Sequence, residues 1–374
     1  MDAVFDDKKN CCGCKNCLNI CPKKAIKMVV DEFGFEYPKI NQDLCVNCGK
    51  CKAICPMINV TGYSVQDAYA AILNDSAIER SASGGAFYAI AKSFVENGGV
   101  VFGCAFDKSL YAHHIKVETV SELSELQGSK YVQSDMNSQA EVLELLKAGK
   151  RVLFTGTPCQ VSAVAKYVGE YRNNLYTIEL VCHGVPNALL WKDYVLNLEN
   201  KYKGKVISFT FRAKNTNKKW CSRVTIAVNG KNVEYLIPSV LSPYYYNFLK
   251  GKMYRESCYV CPYAQNQRQA DVTICDYWGY DGVRFKEEKG LSAIMLQGEK
   301  GRWLFENAKK HLIIEETTFE AIAIQNEQLS SPTNIEKYDQ SLLELWQHGG
   351  FQAVEKKHRK EHWKAYLLNA FKLF

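Results

Sequence analysis

From residue 66 onward, short apolar runs alternate with amphipathic stretches. "AYAAIL", "VVFGCAF", "RVLFTG" and "LYTIELVC" are compact apolar runs rich in branched and aromatic residues, a pattern that predicts strands. Between and after them lie "GGAFYAIAKSFVENGG", "SQAEVLELLKAGK", "VSAVAKYVG" and "ALLWKDYVLNLENKY". Their apolar residues recur every three or four positions, which predicts helices. Such alternation argues for an α/β core built on a largely parallel or mixed sheet. Further on, "KVISFTFRAK" and "RVTIAVNGKNVEYLI" read as strands, the second folded into a hairpin at Asn229-Gly230. "SAIMLQ", "KGRWLFENAKK" and "LIIEET" add one more strand–helix–strand unit. The C-terminal "VEKKHRKEHWKAYLLNAFKLF" reads as a basic amphipathic helix. Its apolar stripe is expected to pack Trp363, Leu367 and Phe371 on the core, with a docking surface as the other reading.

The first sixty residues do not follow this pattern, and composition says why. Sixteen cysteines occur in 374 residues. The start "MDAVFDDKKNCC" has no apolar signal region, so a reducing, cytoplasmic setting is expected, with cysteine used for metal or redox chemistry rather than disulfides. No apolar run approaches the ~18 residues of a membrane span. The length suggests two or three domains, and 47% hydrophobic residues can build a real core. A net charge of +7 over this length permits an acidic partner or an anionic ligand but gives no reason to expect nucleic acid.

The cysteines fall in a register. Cys11-x2-Cys14-x2-Cys17-x3-Cys21-Pro22 is repeated as Cys45-x2-Cys48-x2-Cys51-x3-Cys55-Pro56. This is the bacterial ferredoxin spacing, twice: three thiolates at steps of three wrap one [4Fe–4S] cluster, and the fourth comes from the other run. One cluster is therefore assigned Cys11, Cys14, Cys17 and Cys55, and the other Cys45, Cys48, Cys51 and Cys21. Zinc would need only four ligands and has no use for a third CxxC step. Cys12 falls off the register and reads as a bystander thiol. A ferredoxin would stop near residue 60, so the module reads as an electron wire attached to something else.

Three small-residue loops follow predicted strands: "ERSASGGAF", "FTGTPCQVSAV" and "VCHGVPN". Open α/β sheets bind ligands at that edge. Two helix starts ready for phosphate suit a dinucleotide such as FAD, while the absence of G-x-G-x-x-G leaves an ordinary NAD site unsupported. Seven cysteines lie beyond the wire. Cys159 and Cys182 fall on two of these loops, and Cys258 and Cys261 form a further CxxC. These four could hold a third cluster, bind zinc, or line a pocket as thiols. Cys104 and Cys275 sit in apolar strands and read as core residues. Cys221 shows no clear role. Lys130, Arg212 and Lys214 are candidates for an anionic substrate or a flavin phosphate, and His183 for a proton donor.

"SASGG", "GTPCQ", "CHG", "FRAK" with Trp220, "RESCYVCPYAQNQRQADVTICDYWG" and "GLSAIMLQGEKG" occur in that order. Together they resemble the coenzyme F-420 hydrogenase/dehydrogenase beta-subunit family. The resemblance runs from about residue 66 to 305 and implies an FAD-bearing core with a nearby [4Fe–4S] cluster. It implies flavin contacts at Ser81, Ser83, Gly84 and Gly85, at Lys130, Tyr131, Gln133 and Ser134 of "GSKYVQS", and at Thr155, Gly156 and Thr157. It implies cluster ligands at Cys159, Cys182, Cys258 and Cys261. The chain departs from the family at Cys275, where glycine usually precedes the Asp of a "GD-x-W" motif.

The expected architecture is a small ferredoxin-like module (1–62), a larger α/β flavin-binding core with a mixed sheet (66–345), and a basic C-terminal helix (346–374). The expected activity is that of an iron–sulfur flavoprotein oxidoreductase. It would pass electrons between clusters and a flavin that exchanges hydride with coenzyme F-420 or another organic substrate. Its partner would be a ferredoxin or another redox protein. The alternative is a non-catalytic electron-transfer subunit of a larger complex.

Overall fold

The computed structural model describes residues 4–214, 220–285 and 290–370. Two strands, β1 (Ile26–Val30) and β2 (Glu36–Ile40), pair antiparallel between the two cysteine runs. The runs themselves wrap two short helices, Asn16–Ile20 and Lys50–Ala53.

The core sheet has eight strands. These are β3 (Asp67–Leu73), β4 (Val100–Phe106), β5 (Ala112–Val117), β6 (Val152–Gly156) and β7 (Leu175–Leu180), with three more from later in the chain. Three strands intervene: β8 (Lys205–Thr210), β9 (Cys221–Val228) and β10 (Lys231–Pro238) form a separate antiparallel sheet. The chain then returns as β11 (Val272–Asp276), β12 (Ser292–Leu296) and β13 (Leu312–Thr317). The order is β13-β3-β12-β11-β7-β6-β4-β5. β11, β7, β6 and β4 are parallel neighbours and the outer pairs are antiparallel, so the sheet is mixed. β6 and β12 are buried at every position, as strands covered on both faces must be.

Helices Ala86–Glu96 and Gly298–Ala308 cover one face of the sheet, and Gln139–Lys147 and Pro158–Val168 the other. The hairpin at Asn229-Gly230 forms as read, both residues having positive φ. The final strand–helix–strand unit is different: β12 and β13 are not neighbours, because β3 lies between them.

The C-terminal expectation needs correction. The tail is two helices, Gln340–Glu361 and Trp363–Ala370, broken at His362, where φ is −112° and ψ 25°. The break turns the stripe outward. Trp363 is 56% exposed and Leu367 48%, while Phe351, Val354 and His358 take the buried positions. Phe371 lies outside the described residues. No helix among those described is long and apolar enough to cross a membrane.

Candidate functional site

The cysteine register sets the local geometry of the wire. Cys21, Cys45, Cys48 and Cys51 line one cavity of about 510 Å³, the quartet that the crossed ferredoxin pattern puts together. Cys11 and Cys55 both lie near Cys17, on the side facing the core. Cys48 is exposed and Cys17 buried, so the first site faces solvent and the second faces inward.

The core holds the inner loop by its carbonyls. Arg255, buried in the seam, donates from Nε to the Cys11 carbonyl at 2.6 Å. Gln133 donates to the Cys12 carbonyl at 3.1 Å and Gln139 to that of Cys14 at 2.8 Å. Lys166 donates to the Cys55 carbonyl at 2.9 Å, and Asn16, fully buried, to that of Ala163 at 2.8 Å. Gly13 sits at φ +72°, and a Cβ there would stand 2.6 Å from the Gln133 amide nitrogen, so glycine lets the two surfaces close.

Inside the seam lies a second cavity, about 760 Å³, lined by Cys12, Cys159, Cys182, Cys258 and Cys261. Burial raises the thiols of Cys182 and Cys258 and pushes Cys261 up to about 12. Contact with the Cys12 thiol, then burial, raises Cys159. Loading a metal group here would displace those protons. Among the described residues no three cysteine, histidine or acidic side chains converge on a point, as a single ion would require. The thiols instead surround a space. A cubane cluster suits this, because its own width separates its ligands, whereas zinc pulls four sulfurs to about 2.3 Å from one centre. Arg268, paired with Glu179 at 2.6 Å and fully buried, also lines the cavity.

The third cavity opens at the carboxyl ends of the parallel strands and is the largest of these, about 1550 Å³. Ser81, Ser83, Gly85, Lys130, Tyr131 and Ser134 line it, and so do Thr155, Gly156, Thr157 and His183. Two expected residues do not. Gln133 faces the cysteine cavity, and Gly84 packs where a Cβ would stand 2.4 Å from the Ala71 carbonyl and 2.5 Å from the Ser292 nitrogen. The glycine pair thus serves the docking of its loop on β3 and β12 as well as the opening of the cavity.

The two helix starts differ. Helix Ala86–Glu96 begins at Gly85 with no side-chain cap, leaving its first amides free for an anion. Helix Pro158–Val168 closes its own start with a Thr157–Gln160 capping box, so its amides are partly satisfied already.

Lys130 donates to the carbonyls of Glu125 and Gln127 at 3.1 and 2.9 Å, and burial lowers its ammonium to about 8. Lys214 turns inward to the carbonyls of Ile78 and Ser83, a support for the Ser81–Gly85 loop. Arg212 pairs with Asp276 and lies over the rings of Trp220 and Trp278, 4.9 and 5.4 Å from their centroids. His183 opens on the cavity but is hemmed in by protein, and loss of hydration lowers its pKa. At neutral pH the ring stands ready to accept a proton rather than to give one up as an imidazolium.

Sequence reading missed several lining residues. Cys104 and Cys275, read as core, are half-buried and face this cavity. Asp276 and Trp278 belong to the wall as well. The "ICDYW" run was the available signal, since alternation along β11 must send some of its side chains to the other face. Cys221 is buried at the start of β9.

The cysteine cavity and the large cavity share a wall formed by Thr157, Gln160 and residues Cys182 to Val185. Fold and site together define an iron–sulfur electron-transfer protein: a ferredoxin-like module sealed onto a mixed α/β core. Residues 149–322 match the family model for the C terminus of the coenzyme F420 hydrogenase/dehydrogenase beta subunit, and residues 10–58 match that of the 4Fe-4S dicluster domain. The chain belongs to the coenzyme F420 hydrogenase/dehydrogenase beta-subunit family and carries a dicluster domain at its front.

Curated relatives match only the module. A polyferredoxin-like protein of Methanocaldococcus jannaschii is 40% identical over 58 residues, 13% of this chain and 34% of that one. A ferredoxin of the same organism is 36% identical over 53 residues, 14% of this chain and 68% of that one. The chain thus spans about a third of the length of the first of these relatives. A chain of the F420-reducing [NiFe] hydrogenase complex from Methanosarcina barkeri is similar at a TM-score of 0.47 and 15% identity, over 81% of this chain and 91% of that one.

Proposed function

We propose that the chain is a flavin-bearing iron–sulfur oxidoreductase in which residues 1–62 wire a core of residues 66–345. In this reading Cys21, Cys45, Cys48 and Cys51 hold an outer [4Fe–4S] cluster, and Cys11, Cys14, Cys17 and Cys55 an inner one. Cys159, Cys182, Cys258 and Cys261 hold a third, and the large cavity holds FAD. The observation that carries the reading is the shared wall: thiols fit for a cluster back directly onto a cavity fit for a dinucleotide.

A flavin exchanges electrons in pairs with an organic substrate and singly with iron–sulfur clusters. The chain's own residues bind and orient. The open amides after Gly85 and the Lys130 ammonium would take the negative charge of a pyrophosphate. Ser134, Thr155 and Tyr131 line the inner wall, and Arg212 with its two tryptophans the outer. A neutral His183 beside Cys182 would receive a proton at the shared wall. The substrate would be coenzyme F420 or another organic hydride carrier, and the partner a ferredoxin or similar one-electron protein.

Anaerobic purification tests the reading. We expect near-stoichiometric FAD and about twelve irons per chain, at four per cubane. Cys258→Ser should lose about four irons and leave the module's clusters intact. A protein without flavin, holding about eight irons, would instead be a wiring subunit without its own turnover.

A further inference from the structure

Cys12 is off the ferredoxin register, yet its thiol lies in contact with the thiols of Cys14 and Cys159. Cys14 belongs to the inner quartet and Cys159 to the core quartet. Cys159 in turn lies 3.2 Å from the Thr157 hydroxyl, which lines the large cavity. A continuous line of contacts therefore runs from the wire through Cys12 to the ligand-ready cavity. The loop that carries Cys12 is held on both sides, by Arg255 on the Cys11 carbonyl, Gln133 on that of Cys12 and Gln139 on that of Cys14. Its place against Cys159, 147 residues away in sequence, is imposed by the seam.

We propose that Cys12 is a positioning residue between the inner and core clusters, its neutral S–H hydrogen-bonding to the Cys159 thiolate. The inference rests on the cluster assignment above. Four thiols already suffice for the core site, and among them Cys159, Cys182, Cys258 and Cys261 influence one another, whereas Cys12 couples only to Cys159. A fifth thiol at that place serves the ligand rather than the iron. A hydrogen bond to a ligating sulfur stabilises the more negative, reduced cluster and raises its potential. It would thereby bring the core cluster closer to the flavin and tighten the contact through which electrons cross the seam.

The test uses the full chain, purified without oxygen and titrated potentiometrically while EPR is recorded. The core signal is identified as the one that Cys258→Ser abolishes. Cys12→Ala should keep about twelve irons and shift the core midpoint downward. A tenfold change in the one-electron equilibrium corresponds to about 59 mV. Cys12→Ser, which restores an O–H donor, should recover much of the shift, a result that a purely steric role would not give. Loss of about four irons in Cys12→Ala would overturn the proposal by making Cys12 a ligand. Unchanged iron with an unchanged midpoint would overturn it too. A wild-type chain with only about eight irons would instead sink the core cluster, and this inference with it.

Discussion

Lys130 shows how one residue's surroundings set a pH dependence. Its ammonium is buried and held only by two backbone carbonyls, so its pKa falls from the ordinary lysine range to about 8. An anion bound beside it therefore loses its charged partner as the pH rises through about 8. Charge-assisted hydrogen bonds are worth about 1.5–3 kcal/mol, or at least tenfold in affinity. FAD binding, followed by fluorescence titration, should weaken by about that factor between about pH 7 and 9.5. Lys130→Met should bind weakly at both values, with no such fall. Between about pH 8 and 10.5 the unfolded chain also holds more protons than the native one, so stability rises with pH across that window. A wild-type affinity flat over this range would refute the role of Lys130.

At the scale of elements, Arg268 ties the cysteine cavity to the sheet. Its Nε donates to Glu179 on β7, and the same carboxylate takes the Gln269 amide at 3.0 Å and the Thr273 hydroxyl of β11 at 2.9 Å. Removing one partner of a buried pair leaves an uncompensated charge, at a cost of about 3–5 kcal/mol. Arg268→Met should lose that much in anaerobic denaturant unfolding, and Glu179→Gln combined with Arg268→Met should recover part of it. A loss below about 1 kcal/mol would show that the pair is not what fixes β7 to β11. Elements were the most legible level in the sequence, because β4, β6 and β7 and their helices announce themselves by period. β5, "AHHIKV", did not: its buried histidine at position 114, with Nε2 at 3.2 Å from the Thr155 carbonyl, looks polar in sequence. The ferredoxin register, being local, could be read directly. The seam could not, since Arg255, Gln133 and Cys12 meet only across more than a hundred residues. The same limit hid the outward turn of Trp363, which depends on a single break at His362.

The whole molecule presents its electron port at one end. Around the outer cysteine quartet, Lys23, Lys24, Lys27 and Lys50 are exposed, and Leu44 and Val46 are 50% and 57% exposed beside Cys45 and Cys48. Of the nearby acids only Asp43 interrupts this basic rim on the same loop. An apolar spot ringed by one sign of charge recruits a partner of the opposite sign, here an acidic one-electron carrier such as a ferredoxin. Steering of this kind speeds encounter and is screened by salt, since the Debye length falls to about 10 Å at 0.1 M. The second-order rate of reduction by an acidic ferredoxin, measured by stopped flow, should therefore fall steeply with ionic strength in the wild type. Charge reversal at three positions, Lys23→Glu, Lys24→Glu and Lys50→Glu, should slow it by about tenfold or more at low salt and flatten the dependence. Reduction by dithionite, which needs no docking face, should change much less, separating a lost partner from a damaged cluster. Equal ferredoxin rates in both proteins at low salt would place the port elsewhere. The exposed Trp363 and Leu367 on the basic terminal helix would then be the next face to test.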